Sequence, residues 1–146
     1  MSTAFFAGSF NPFTRGHASI VERALPLFDN IIIGIGVNAE KPGAAGRADA
    51  ACRRIAALYA ANPRVRVEVY SGLTVDAAKA FGANVLLRGV RSEADYEYER
   101  SLADLNRRLS GIETLLLFSL PELEYISSSA VRELASYGRD VSDMLP

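Results

Sequence analysis

Short apolar runs alternate along this chain with longer segments of helical period. Ile31–Val37 (IIIGIGV) is continuous and β-branched, the pattern of a strand buried on both faces. Thr114–Phe118 is a second continuous run, Ala4–Ala7 and Val85–Leu87 are shorter apolar ones, and Val65–Tyr70 alternates. Between them the spacing predicts helices over His17–Leu27, Ala48–Ala60, Val75–Phe81, Asp95–Leu109 and Ser129–Tyr137. Five strand–helix alternations predict an α/β fold, a Rossmann-like five-stranded parallel sheet with helices on both faces and right-handed crossovers. Ligands of such sheets sit beyond the carboxyl ends of the strands, where strand order reverses. The stretch Glu40–Ala51 (EKPGAAGRADAA) is the least patterned and reads as a mobile loop running into a helix.

Composition narrows the partners. The 146 residues suit a single domain, 1–146, and 49% hydrophobic with 23% charged residues is ordinary for a soluble globular protein. A net charge of −1 argues against a general polyanion binder, so no nucleic-acid partner is expected and any anion site is local. The single cysteine, Cys52, excludes an intrachain disulfide and reads as a small packed residue in a reducing compartment. The N-terminal stretch has no basic segment, and Asn11 and Pro12 interrupt its apolar run too early for a signal peptide. No apolar run approaches the roughly 20 residues of a membrane helix. The expectation is a cytoplasmic protein without a membrane partner.

Chemistry gathers just after the strands. The first cluster is Gly8-Ser9-Phe10-Asn11-Pro12-Phe13-Thr14-Arg15-Gly16-His17, leading into the first helix. Gly8 permits close backbone approach to a ligand, Ser9 offers a hydroxyl and an N–H, and Gly16 removes bulk beside His17. The N-terminus of a helix carries free N–H groups and partial positive charge, so phosphate binds there readily. His17, the only histidine, could donate to a phosphate oxygen. The second cluster, Leu87-Arg88-Gly89-Val90-Arg91, supplies two guanidinium forks that match phosphate oxygens, unless they answer Glu93, Asp95 or Glu97. The third, Ile126-Ser127-Ser128-Ser129, offers hydroxyls and N–H groups at a helix start, where serines also serve as plain caps. Lys41 lies beyond the second strand and could swing onto a phosphate or remain solvated. Glu99 reads as a solvated helix position or an ion-pair partner of Arg107 or Arg108. Together these groups suit a polyphosphate and a second phosphate. The patterns CxxC, HExxH, GxxxxGK[ST] and GxGxxG are all absent.

These motifs resemble those of bacterial phosphopantetheine adenylyltransferases, within the nucleotidyltransferase superfamily that carries the HxGH or TxGH signature. Thr14-Arg15-Gly16-His17 matches TxGH, and GSFNPFTRGH is similar to G-[ST]-F-D-P-x-T-x-G-H. LLRGVRSEADYEYE, ISSSAVRE and GRDVSDMLP resemble three further family segments, so the likeness runs from Ala7 to Pro146. The resemblance implies transfer of AMP from ATP to 4′-phosphopantetheine, giving dephospho-coenzyme A and pyrophosphate in coenzyme A biosynthesis. It implies that His17 is catalytic and stabilises the transition state, and that Ser9 touches both substrates. On the ATP side it implies Phe10, Gly89, Val90, Arg91, Glu99 and the segment Leu123, Glu124, Tyr125, Ile126, Ser127, Ser128 and Ser129. On the acceptor side it implies Ser9, Lys41, Thr74 and Arg88. Mg²⁺ as cofactor without a resident metal site, a homohexamer, and coenzyme A as a feedback ligand follow from the same resemblance.

The chain departs from the family pattern in places. Asn11 stands where the family has aspartate, EKPGAAGRADAACR replaces a run with more apolar and charged anchors, and Leu123-Glu124-Tyr125 replaces a more usual aromatic and serine. Two alternatives stay open on these residues. One is a nicotinate-mononucleotide adenylyltransferase, toward which Asn11 leans. The other is a nucleotide-binding regulator without catalysis, toward which the altered loop leans.

Overall fold

The computed structural model describes residues 1–146. It runs β1 (Thr3–Gly8), α1 (Arg15–Ala24), β2 (Asn30–Gly36), α2 (Ala44–Leu58), β3 (Val65–Tyr70), α3 (Thr74–Ala80), β4 (Val85–Val90), α4 (Glu93–Ser110), β5 (Glu113–Phe118) and α5 (Ser128–Ser136). All pairings are parallel, in the order β3-β2-β1-β4-β5. This is the expected fold. The chain winds outward one way from β1 through β2 to β3, then returns to place β4 on the other side of β1. The order reverses between β1 and β4, and a crevice opens beyond their carboxyl ends.

Successive strand residues point to opposite faces, and two apolar clusters follow from that alternation. Ala4 and Phe6 of β1, with Ile31, Ile33 and Ile35 of β2, pack against Val21 and Ala24 of α1 and Ala48, Ala51 and Ile55 of α2. Phe5, Ala7 and Ile32 face the other way and pack against Val75, Ala77 and Ala78 of α3. The β-branched run of β2 is therefore buried on both sides, as its pattern predicts. Gly34 interrupts that run for a packing reason. A Cβ there would lie 2.3 Å from the Phe5 ring, closer than any real contact.

Three elements differ from the sequence reading by three or more residues at one end: β4, α2 and α1, which runs Arg15–Ala24 and stops short of the expected Leu27. β4 continues from Leu87 through Arg88, Gly89 and Val90, each paired in register with β5. Helix α2 begins at Ala44, so part of the segment read as a mobile loop is helical. Its first turns are mostly alanine, the best intrinsic helix former, although the cap residue Gly43 makes no side-chain cap bond. No helix is long and apolar enough to cross a membrane.

Candidate active site

The crevice between the ends of β1 and β4 holds a cleft of about 420 Å³. Its floor is Gly8 and Ser9 at the end of β1, its walls are α1 and the β4–α4 junction, and its rim is the start of α5. A Cβ on Gly8 would press on the Phe10 ring at 3.1 Å, and one on Gly89 would meet Ile20 at 3.2 Å. Phe10 itself holds φ 47°, an uncommon backbone for a bulky residue. It is buried against Phe6, Phe13 and His17, and its ring meets the imidazole edge-on at 4.9 Å.

His17 is fixed by the helix start it belongs to. Thr14 is the N-cap of α1: its hydroxyl accepts from the His17 N–H at 3.3 Å, while its own N–H donates to His17 Nδ1 at 2.9 Å. That is a capping box with histidine in the place usually taken by glutamate or glutamine. Burial, with the charges of Arg88 and Arg91 added, lowers the His17 pKa from 6.5 to about 4. At neutral pH the ring is therefore uncharged. Nδ1 accepts, so the proton sits on Nε2, the ring nitrogen left free at the cleft.

Arg88 and Arg91 line the same cleft, and each is held by a carboxylate of α4. Glu99 takes Arg88 with both oxygens, at 2.8 Å to Nε and 2.7 Å to Nη2, and Arg88 Nη1 also donates to the Ala7 carbonyl. Burial disfavours the Arg88 charge, but the hydrogen bond and charge of Glu99 outweigh it and leave the guanidinium pKa above its ordinary value. Arg91 Nε lies 3.2 Å from Asp95. The sequence offered Asp95 as a partner for the pair, and the structure uses it for Arg91. Arg107 and Arg108, the partners the sequence suggested for Glu99, both bind Asp104 instead.

The serine run serves two purposes. Ser127 caps α5, accepting from the Ala130 N–H at 3.1 Å, and Ser128 donates to the Pro12 carbonyl at 2.8 Å, tying α5 to the β1–α1 loop. Ser129 bonds only to Ser127, at 3.3 Å between hydroxyl oxygens, and is exposed at the rim.

Thus Ser9, Phe10, His17, Arg88, Gly89, Arg91, Glu99, Ile126, Ser127, Ser128 and Ser129 all meet at one cleft. The remaining candidates lie elsewhere. Val90 and Leu123 are buried, the latter in a small cluster with Ile126 and Val131, while Glu124 and Tyr125 are exposed outside the cleft. Thr74 lines an adjoining cavity of about 490 Å³, in which Tyr70 bonds its hydroxyl at 2.9 Å and Arg88 and Glu99 form one wall. Lys41 lines a third groove. Ser9 borders all three spaces. Sequence reasoning missed Tyr98, Ser119 and Arg132 as cleft residues. Arg132 was legible in the ISSSAVRE segment, one helical turn beyond Ser128, whereas nothing local marks Ser119.

No three of the chain's His, Cys, Asp and Glu side chains converge as a metal site. The two cleft carboxylates, Asp95 and Glu99, are each engaged by an arginine, so these residues do not form a resident metal centre.

Residues 5–134 match the family model described as cytidylyltransferase-like. A curated Porphyromonas gingivalis protein named phosphopantetheine adenylyltransferase is 58% identical over 143 residues, covering 98% of this chain and 93% of its own length. A Phocaeicola vulgatus protein of the same name is 48% identical over 146 residues, covering 100% of this chain and 96% of its own. A solved Vibrio parahaemolyticus structure, provisionally described as a nicotinate-nucleotide adenylyltransferase, superposes with a TM-score of 0.60 at 17% identity, over 99% of this chain and 94% of that one. At that identity the likeness concerns the fold alone. With the TxGH histidine and the arginine pair at the sheet's reversal point, and this degree of identity over nearly the whole length, the chain belongs to the phosphopantetheine adenylyltransferase family.

Proposed function

We propose that this chain transfers AMP from ATP to the phosphate of 4′-phosphopantetheine, releasing inorganic diphosphate and giving dephospho-coenzyme A. One observation carries the chemistry: a neutral His17, its Nδ1 already occupied, shares a cleft with Arg88 and Arg91. A phosphate oxygen of the acceptor attacks the α-phosphorus of ATP in line. The new P–O bond forms as the bond to the α,β-bridging oxygen breaks, and diphosphate leaves with that electron pair. The attacking phosphate is already a competent nucleophile, so no side-chain base and no covalent enzyme intermediate are needed.

Rate enhancement then comes from positioning and from charge stabilisation on the transferring group. His17 Nε2–H donates to an α-phosphate oxygen, with the N-terminus of α1 behind it. Arg91 and the N–H groups that open α5 hold the β and γ phosphates, with Ser129 as the adaptable hydroxyl. Arg88 holds the attacking phosphate at the wall between the cleft and the Thr74 cavity, and Lys41 closes on it from its loop. Mg²⁺ serves as counter-ion to the triphosphate rather than as a metal held by side chains.

Self-association, as a homohexamer, is part of the same reading. The 18-residue helix α4 buries only Glu99, while Leu105 and Leu109 on it, and Leu115 and Phe118 on β5, stand exposed. Exposed apolar surface of this kind marks an interface. Feedback by coenzyme A and action in the cytoplasm complete the proposal. Mass detection of dephospho-coenzyme A from ATP, Mg²⁺ and 4′-phosphopantetheine tests it, with nicotinate mononucleotide as the parallel acceptor. Product from nicotinate mononucleotide alone would replace this reading by the sibling one.

A further inference from the structure

The groove that contains Lys41 carries more charge than one acceptor contact requires. It occupies about 390 Å³ between the end of β2, helix α2 and the β1–α1 loop. Lys41, Arg47, Arg54 and Arg132 line it, and no carboxylate does. None of these four cations belongs to any of the five salt bridges of the protein. Arg47 and Arg132 donate to the carbonyls of Pro42 and Asn11, contacts that orient each guanidinium and leave its charge uncompensated. In a chain of net charge −1, four like charges facing one groove repel one another, and a bound anion relieves that repulsion. Arg132 lines both this groove and the transfer cleft, and Ser9 borders both. Arg132 therefore joins the cleft, where Arg91 and Ser129 stand at the start of α5, to the groove, where Arg54 and Arg47 stand.

We propose that this groove is a diphosphate site, distinct from the donor-phosphate subsite, which receives the inorganic diphosphate released by transfer. The identity of the anion rests on the transfer reaction above; the existence of the anion site does not. The two forked guanidinium groups of Arg47 and Arg54 match the two tetrahedral ends of a diphosphate, while Lys41 at the groove's edge stays with the acceptor phosphate.

The test titrates inorganic diphosphate into the full-length protein saturated with a non-hydrolysable ATP analogue, by calorimetry. One diphosphate per chain is expected to bind. In the double variant Arg47→Gln/Arg54→Gln its affinity falls by about tenfold or more, while analogue affinity stays within about twofold. Both arginines are exposed and free of ion pairs, so an unchanged melting temperature is expected and excludes misfolding. In the reverse reaction the same variant raises KM for diphosphate and leaves KM for dephospho-coenzyme A unchanged. Failure of diphosphate to bind the analogue-saturated protein, or equal affinity in the double variant, overturns the proposal. Absence of any adenylyl transfer overturns the functional reading instead, and the direct titration still decides the site.

Discussion

Glu99 grips Arg88 through both carboxylate oxygens, at 2.8 and 2.7 Å, from the only buried position of an 18-residue helix. The pair bolts α4 to the end of β4 and aims the guanidinium along the wall shared by the transfer cleft and the Thr74 cavity. Glu99→Gln keeps the shape but presents at best one acceptor to a half-buried cation. The expected result is a KM for the phosphorylated acceptor raised by roughly tenfold, with stability lowered by about 1–3 kcal/mol. A loss of stability with both KM values unchanged would reduce Glu99 to a purely structural role.

His17→Ala removes a donor aimed at the transferring group. Loss of one such donor lowers kcat by about 100- to 1000-fold. ATP affinity is expected to change little, because ground-state binding is spread over Arg91 and the start of α5. Equal losses in turnover and in equilibrium ATP binding would contradict the assignment.

The same histidine predicts a pH dependence of stability. Its pKa is about 4 in the folded protein and near 6.5 in the unfolded chain. Between these values the unfolded chain binds a proton that the folded protein does not, so folding weakens as pH falls. The contribution of neutral His17 is complete above 6.5 and is lost toward pH 4, by roughly 3 kcal/mol in total. Chemical denaturation at several pH values is expected to show this slope in the wild type and a flatter one in His17→Gln. A kcat profile with an ionisation near 6.5 assigned to His17 by NMR would refute the neutral-ring description.

The serines of the α5 junction separate by role. Ser127→Ala removes a cap and is expected to cost about 1 kcal/mol of stability. Ser129→Ala leaves the melting temperature in place and weakens ATP binding by several-fold, since its hydroxyl has no structural partner beyond Ser127. The reverse pattern would show that Ser129 belongs to the fold and Ser127 to the ligand.

Gly34→Ala is expected to be among the more damaging single substitutions in the sheet, by about 1–3 kcal/mol, because Phe5 already fills the space a methyl needs. Thermal melts of Gly34→Ala and of the paired change Gly34→Ala/Phe5→Leu test this. A shorter ring partner should recover part of the loss.

Most of the fold is legible from periodicity, and the exceptions have physical causes. Val65–Tyr70 is bounded correctly by its alternation alone. Val85–Leu87 looks like the whole of its strand because Arg88 and Gly89 end the apolar run. The strand continues because Glu99, eleven residues on, neutralises the arginine. Helix α2 starts early because alanine favours helix even where no amphipathic pattern announces it. Of the site, the signature Thr14–His17, the arginine pair and the serine junction are readable as motifs. Which carboxylate answers which arginine is not, because Asp95, Glu97 and Glu99 are equivalent along the chain and differ only in which face of α4 they occupy.

By itself the sequence determined the alternating α/β order, the residues after each strand that could meet phosphates, and the family resemblance. Those depend on local pattern, which side-chain period and residue type encode directly. Only the tertiary structure decided that Lys41 belongs to a cationic groove beside the cleft, that Glu99 is spent on Arg88, and that His17 is neutral with its proton on Nε2. Each of these depends on distances between segments far apart in the chain, and on burial, which no single segment specifies.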